Sequence, residues 1–151
     1  MQSELVEILE TAIYKEVASQ AVYEAGQRQT GDAGAQTLMA ELALEEEHHA
    51  DILWGLKERG WEPDGWHSNG VQNLKISDYL VAPERLQGAT LQDTLSFALK
   101  REQQSVDFYS RLMAVMRGAE AKALCERLVH EELKHKQKLE LLYDDLFYEE
   151  D

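Results

Sequence analysis

Apolar residues return at alternating steps of four and three along four stretches of this chain, the spacing that lines one face of an α-helix. The first stretch runs Leu5, Leu9, Ala12, Glu16, Ser19, Tyr23. The second runs Leu38, Leu42, Glu46, His49, Leu53, Leu56, with Gly60 placed to stop it as a helix C-cap. Thr90, with Asp93 three residues on, makes an approximate capping box for the third, Leu91, Leu95, Ala98, Glu102, Ser105, Tyr109, Leu112, Met116. The fourth runs Leu124, Leu128, Glu132, His135, Leu139, Leu142, Leu146. No stretch alternates apolar and polar residues over a useful length, so the pattern predicts an all-α chain with little or no sheet. Pro63 and Pro83 fall between about residues 60 and 90 with Gly60, Gly65, Gly70 and Gly88. The chain therefore divides into one hairpin over about 3–60, a connector over about 61–90 and a second hairpin over about 91–147. A length of 151 residues fits one domain, 1–151.

The two halves are copies of each other. Glu16 to Glu102, Glu46 to Glu132 and His49 to His135 each span 86 residues. Laying residues 9–56 on 95–142 without a gap gives fourteen identities in forty-eight positions, where composition gives roughly three or four by chance. Leu9, Ala12, Glu16, Ser19, Tyr23, Leu42, Glu45, Glu46, His49 and Leu53 are among the matched residues. A connector of about thirty residues extends to roughly 100 Å, ample to cross the length of a helix of about 25 residues at 1.5 Å each. These features predict a four-helix bundle of two duplicated hairpins related by two-fold pseudosymmetry.

Each apolar stripe is interrupted at its middle by Glu, and the second and fourth carry His one turn later. Four carboxylates brought into one bundle without counter-charge would repel one another and lose hydration, at several kcal/mol per ion. Two divalent cations balance four ionised glutamates and two neutral histidines. One Glu from each of two helices, plus Glu-x-x-His from each of the other two, is the ligand set of di-iron and di-manganese bundles. Mixed oxygen and imidazole donors suit iron or manganese better than thiolate-bound structural zinc. A lone Glu-x-x-His is ordinarily a solvated face or a core histidine; two such pairs at one common offset make Glu16, Glu46, His49, Glu102, Glu132 and His135 the candidate metal ligands. Glu45 and Glu131 sit one residue before Glu46 and Glu132, and helical geometry permits either member of each pair to face inward. Tyr23 and Tyr109, two turns beyond Glu16 and Glu102, can reach a ligand carboxylate on a neighbouring helix or simply pack in the core. His48, His67 and His130 are expected on the surface, and Trp61 and Trp66 over the flank of the bundle or at a subunit contact.

Twenty-nine acidic against fifteen basic residues leave a net charge of −14, which disfavours nucleic acid or an anionic membrane as partner and favours cations. The single cysteine, Cys125, excludes an intramolecular disulfide or a four-cysteine metal site within the chain and reads as a core residue. No signal-peptide pattern or long apolar run occurs, so a soluble, cytoplasmic protein is expected.

AIYKEVASQAVY, LEEEHHADIL, ALKREQQSVDFY and VHEELKH resemble the rubrerythrin branch of the ferritin-like superfamily, over nearly the whole chain. The resemblance implies a ferritin-like four-helix bundle holding two iron ions, with Mn or Zn as substitutes, on Glu16, Glu46, His49, Glu102, Glu132 and His135, and it favours Glu46 over Glu45. It implies a non-haem di-iron oxidoreductase that reduces hydrogen peroxide or dioxygen, with Tyr23 and Tyr109 orienting ligands or donating protons, as a homodimer or higher oligomer. The four-cysteine iron domain of full-length rubrerythrins cannot be built with one cysteine, so an external electron donor is expected. Peroxidase-type members carry a further glutamate three residues after the third-helix ligand; here that position is Ser105, the mate of Ser19. Two alternatives stand beside the enzyme: a ferroxidase handling iron, and a bundle merely braced by metal.

Overall fold

The computed structural model describes residues 3–59, 89–115 and 118–148. Four helices account for nearly all of them: α1 (Ser3–Arg28), α2 (Ala33–Arg59), α3 (Leu91–Val115) and α4 (Ala119–Phe147). No strand occurs among the described residues. The described residues of each predicted stripe fall on one helix. Gly60, Trp61, Pro63, Gly65, Trp66, His67, Gly70, Pro83, Gly88 and Met116 lie outside the described residues.

The helix starts follow local chemistry. Asp32 Oδ2 accepts the Ala35 N–H at 2.8 Å, satisfying one of the donors a helix leaves open at its first turn. Thr90 and Asp93 form the reciprocal pair that their spacing predicts: the Asp93 N–H donates to Thr90 Oγ1 at 3.2 Å and the Thr90 N–H to Asp93 Oδ2 at 3.4 Å. α1 packs along α2 and α3 along α4, and the hairpins meet through α1 on α3 and α2 on α4.

Two apolar clusters fill the bundle, one toward each end. The first holds Ile8, Leu9, Ala12, Leu53, Phe108, Tyr109, Leu112, Ala121, Cys125 and Leu128. The second holds Val22, Tyr23, Met39, Leu42, Ala43, Leu95, Ala98 and Leu139. Along every helix the buried polar residues fall between the two, except Thr94, which lies one residue before Leu95 of the second cluster. The internal duplication exchanges the clusters: Leu9, Ala12, Leu53, Tyr109 and Leu128 of the first are the mates of Leu95, Ala98, Leu139, Tyr23 and Leu42 of the second. Cys125 is a buried core residue, its thiol pushed up to about 12 by burial.

The copies fill equivalent space differently. Leu112 and Cys125 share the first cluster; their mates are Gly26 and Met39. A Cβ on Gly26 would lie 3.0 Å from Met39 Sδ and 3.5 Å from Thr94 Cγ2, so the long thioether occupies the room that a side chain at position 26 would need. Glycine inside a helix costs about 1 kcal/mol relative to alanine, and here close helix packing retains it. Gly26→Leu is expected to destabilise the fold by about 1–3 kcal/mol through overpacking. Adding Met39→Cys restores the Leu/Cys combination of the other end and should recover part of that loss. Thermal or denaturant unfolding of the two variants checks this, and no recovery in the double variant refutes the compensation.

Candidate metal centre

The four interrupting glutamates and the two histidines converge between the apolar clusters. Glu16, Glu46 and Glu132 have no solvent exposure, and Glu102, His49 and His135 expose 2 % or less. They form two overlapping groups whose ligand atoms all lie within 4.8 Å of one another: Glu16, Glu46, His49 and Glu132, and Glu46, Glu102, Glu132 and His135. Glu46 and Glu132 belong to both groups, so they occupy the shared positions. Glu16 and Glu102 each belong to one. The arrangement is two adjacent sets of mixed oxygen and nitrogen donors, each of which could hold a cation.

Both imidazoles point Nδ1 inward. His49 Nδ1 lies 3.1 Å from Glu132 Oε1 and 3.5 Å from Glu16 Oε2. His135 Nδ1 lies 2.7 Å from Glu46 Oε1 and 3.7 Å from Glu102 Oε1. The rings are nearly parallel, 5.9 Å between centroids. On the outer side, His49 Nε2 meets Glu131 of α4 and His135 Nε2 meets Glu45 of α2. A carboxylate on the far nitrogen fixes a ligating histidine's orientation and tautomer and raises its basicity. Spacing alone left two acids open at each place. The fold divides them: Glu46 and Glu132 face inward, while Glu45 and Glu131 face the histidine of the opposite hairpin.

Each tyrosine crosses between hairpins. Tyr109 OH donates to Glu16 Oε1 at 2.6 Å, and Tyr23 OH donates to Glu102 Oε1. Burial, reinforced by the carboxylate each one faces, holds both phenols well above the usual tyrosine range, so they remain protonated donors. His48 and His130 are exposed, as expected.

A basic pair escaped the search for identical residues. Lys15 and Arg101 precede Glu16 and Glu102 and share the 86-residue offset of the ligands. Both are buried. Lys15 Nζ donates to Ser105 Oγ at 2.7 Å and to Glu16 Oε1 at 3.0 Å, lies 4.0 Å from Glu132 Oε2, and sits 4.7 Å over the Tyr109 ring. Arg101 reaches Ser19 Oγ at 3.5 Å and the Lys15 carbonyl at 3.3 Å. Comparing charge class across the duplication, in addition to identity, would have exposed the pair.

The residues fit a pair of cations. Glu16 Oε2, Glu46 Oε2, Glu102 Oε2, both Glu132 oxygens and His49 Nδ1 are buried with no hydrogen-bond partner among the described residues. A buried polar atom without a partner costs about 1–3 kcal/mol, and more when charged. Such atoms gathered in one place match what metal coordination satisfies. A surface cavity of about 370 Å³ is lined by Leu44, Glu45, His48, His49, Glu131, Lys134 and Lys138.

Without metal, protons and Lys15 share the compensation. Burial opposes ionisation of Glu16, but Lys15 foremost, then the neighbouring Glu46 and His49, hold it well below the usual carboxylate range. Burial and then Glu132 drive the other way at Glu46, well above its usual range, and at Glu102, pushed up to about 8. Burial lowers the histidines, but the nearby Glu132 and Glu16 carboxylates raise His49 to about 11, and Glu102 raises His135 to about 9. Groups raised in the folded state stabilise it while protonated. Their contribution is complete below the unfolded values, about 4.3 for Glu and 6.5 for His, and is lost as pH rises through 8 and 9 for Glu102 and His135. Between pH 6 and 9 the metal-free protein should therefore lose stability, its thermal midpoint falling by at least about 5 °C. Metal must displace these protons, so the stabilisation given by added Zn(II) should grow over the same interval. Circular dichroism melts with and without Zn(II) check both trends; a metal-free midpoint that rises with pH refutes the assignment.

Two likenesses place the chain among known proteins. The rubrerythrin family model matches residues 7–143. The fold is similar to the crystal structure of a two-domain protein containing DJ-1/ThiJ/PfpI-like and ferritin-like domains from Anabaena variabilis, with a TM-score of 0.75 and 20% identity over 99% of this chain and 42% of that one. At that identity the likeness shows the four-helix, ferritin-like fold, and the chain spans about two-fifths of that protein's length. No curated protein matches. The matched span of residues 7–143 takes in all four helices and all six converging donors, and the chain belongs to the rubrerythrin family.

Proposed function

We propose that this protein is a di-iron oxidoreductase that reduces hydrogen peroxide, or dioxygen, with electrons from an external donor. The observation that carries the proposal is the pair of overlapping donor groups sharing Glu46 and Glu132. Glu16 and His49 would complete one metal position, and Glu102 and His135 the other. Two ferrous ions, when bound, supply together the two electrons that convert hydrogen peroxide and two protons into two molecules of water. The chain's own residues provide the rest. Glu45 and Glu131 keep the histidines turned inward. Tyr23 and Tyr109 hold their protons against the terminal carboxylates Glu102 and Glu16, where they orient the ligands and keep a proton beside the reacting atoms. The cavity against His49 gives a small oxidant a way to the edge of the centre. The apolar clusters above and below leave little room for a larger substrate.

The acidic composition, with a net charge of −14, favours a second reading in which the centre oxidises Fe(II) as part of iron handling. Anaerobic loading followed by rapid mixing separates the two. The loaded protein should contain about two iron ions per chain, and Glu46→Ala with Glu132→Ala should empty it. A peroxide reductase is oxidised faster by hydrogen peroxide than by dioxygen and is restored by added reductant over repeated turnovers. A ferroxidase consumes dioxygen readily and accumulates ferric iron well beyond two per chain. Tyr23→Phe with Tyr109→Phe should slow oxidation about tenfold or more while leaving the iron content unchanged. Loaded protein that reacts with neither oxidant refutes the redox proposal and leaves a bundle braced by metal.

A further inference from the structure

We propose that Lys15 supplies a further positive charge to the centre, one that compensates the buried glutamates when no metal is bound and loosens the grip on metal when it is. The inference rests on the two-cation reading of the site and extends it. Lys15 exposes 1 % of its surface, and its ammonium is held from three sides: Ser105 Oγ at 2.7 Å, Glu16 Oε1 at 3.0 Å and the face of the Tyr109 ring at 4.7 Å. Glu132 Oε2, on a carboxylate common to both donor groups, lies 4.0 Å away. Four ionised glutamates already balance two divalent cations with neutral histidines. Beyond that set the ammonium adds a positive charge within a few ångströms of a shared ligand once both positions are filled, on the same side of the balance as the buried Arg101.

Two consequences have opposite signs. In the metal-free protein Lys15 offsets part of the repulsion among the carboxylates, so the bundle can remain folded without its ions. In the loaded protein the same charge repels each ion. A divalent cation feels that repulsion twice as strongly as a proton does, so removing Lys15 favours metal over competing protons. The lysine thus exchanges tight retention of metal for persistence of the metal-free fold. Its anchor, Ser105, is a small residue whose hydroxyl also donates to the Arg101 carbonyl at 2.9 Å, and this leaves room for the ammonium in the layer.

Lys15→Gln removes the charge and keeps an amide that can bond Ser105 and Glu16, whereas Lys15→Arg keeps the charge. Anaerobic Co(II) titration of the full chain, followed by absorbance and by competition with a chelator, reads the affinity directly. Lys15→Gln should bind Co(II) about tenfold or more tightly than the parent, and Lys15→Arg should stay within about threefold of it. In melts without metal, Lys15→Gln should unfold at a lower temperature than the parent, and Co(II) should narrow or close that gap. Equal or weaker Co(II) binding by Lys15→Gln, or matching gains in both variants, overturns the proposal. If Lys15→Gln does not stay folded without metal, the Co(II)-loaded protein is challenged with chelator instead: slower release than the parent supports the proposal, and equal or faster release overturns it. A parent that takes up no Co(II) overturns the metal centre itself, whereas a parent that takes up two ions while Lys15→Gln is unchanged overturns only the role of Lys15.

Discussion

Burying carboxylate charge is the constraint from which the rest of this bundle follows. Four glutamates without appreciable exposure lie in one layer, and an ionised carboxylate moved out of water loses several kcal/mol of solvation. Every neighbour in the layer supplies part of the return: imidazoles, phenols, a lysine and an arginine. The apolar clusters lie toward either end and the six donors expose 2 % or less, so little of this compensation comes from bulk solvent. The same burial makes the donor atoms left without hydrogen bonds costly and gives a cation its advantage there.

Duplication explains how so short a chain assembles the layer. Each hairpin supplies one terminal glutamate, one shared glutamate and one histidine, and each is completed by the other. Tyr109 of the second hairpin bonds Glu16 of the first, Tyr23 of the first bonds Glu102 of the second, and the outer carboxylates cross in the same way. A hairpin alone would expose its apolar stripe and leave its carboxylates half compensated. Cross-bracing therefore ties closure of the bundle to completion of the site.

Much of this was legible before any coordinates. Steps of four and three marked the helices, the Thr90/Asp93 spacing marked the start of α3, and the common offset marked the six converging donors. Periodicity resolves a helix face to about one residue in four, and for that reason it could not separate Glu45 from Glu46. The distinction depends on where the opposite hairpin places its histidine, which is tertiary information. Lys15 was hidden for a different physical reason. Lysine is rarely fully buried, so in a sequence of this charge it reads as a solvated side chain, and only the packing of α1 against α3 reveals that its ammonium lies inside. The segment between the hairpins, with its tryptophans and prolines, falls outside the described residues.

Pseudosymmetric donors do not require a symmetric field. The six donors obey the two-fold relation, but the basic residues before Glu16 and Glu102 differ in shape: an ammonium that reaches a carboxylate and a planar guanidinium that reaches a serine and a main-chain carbonyl. A lysine is a compact point charge, whereas an arginine spreads its charge over a fork suited to several acceptors. The two halves of the layer therefore experience different local potentials although their ligand atoms match. In a duplicated fold this is an economical route to asymmetry. The donor atoms keep the geometry of the centre, and the residues beside them differ in the charge they place against it.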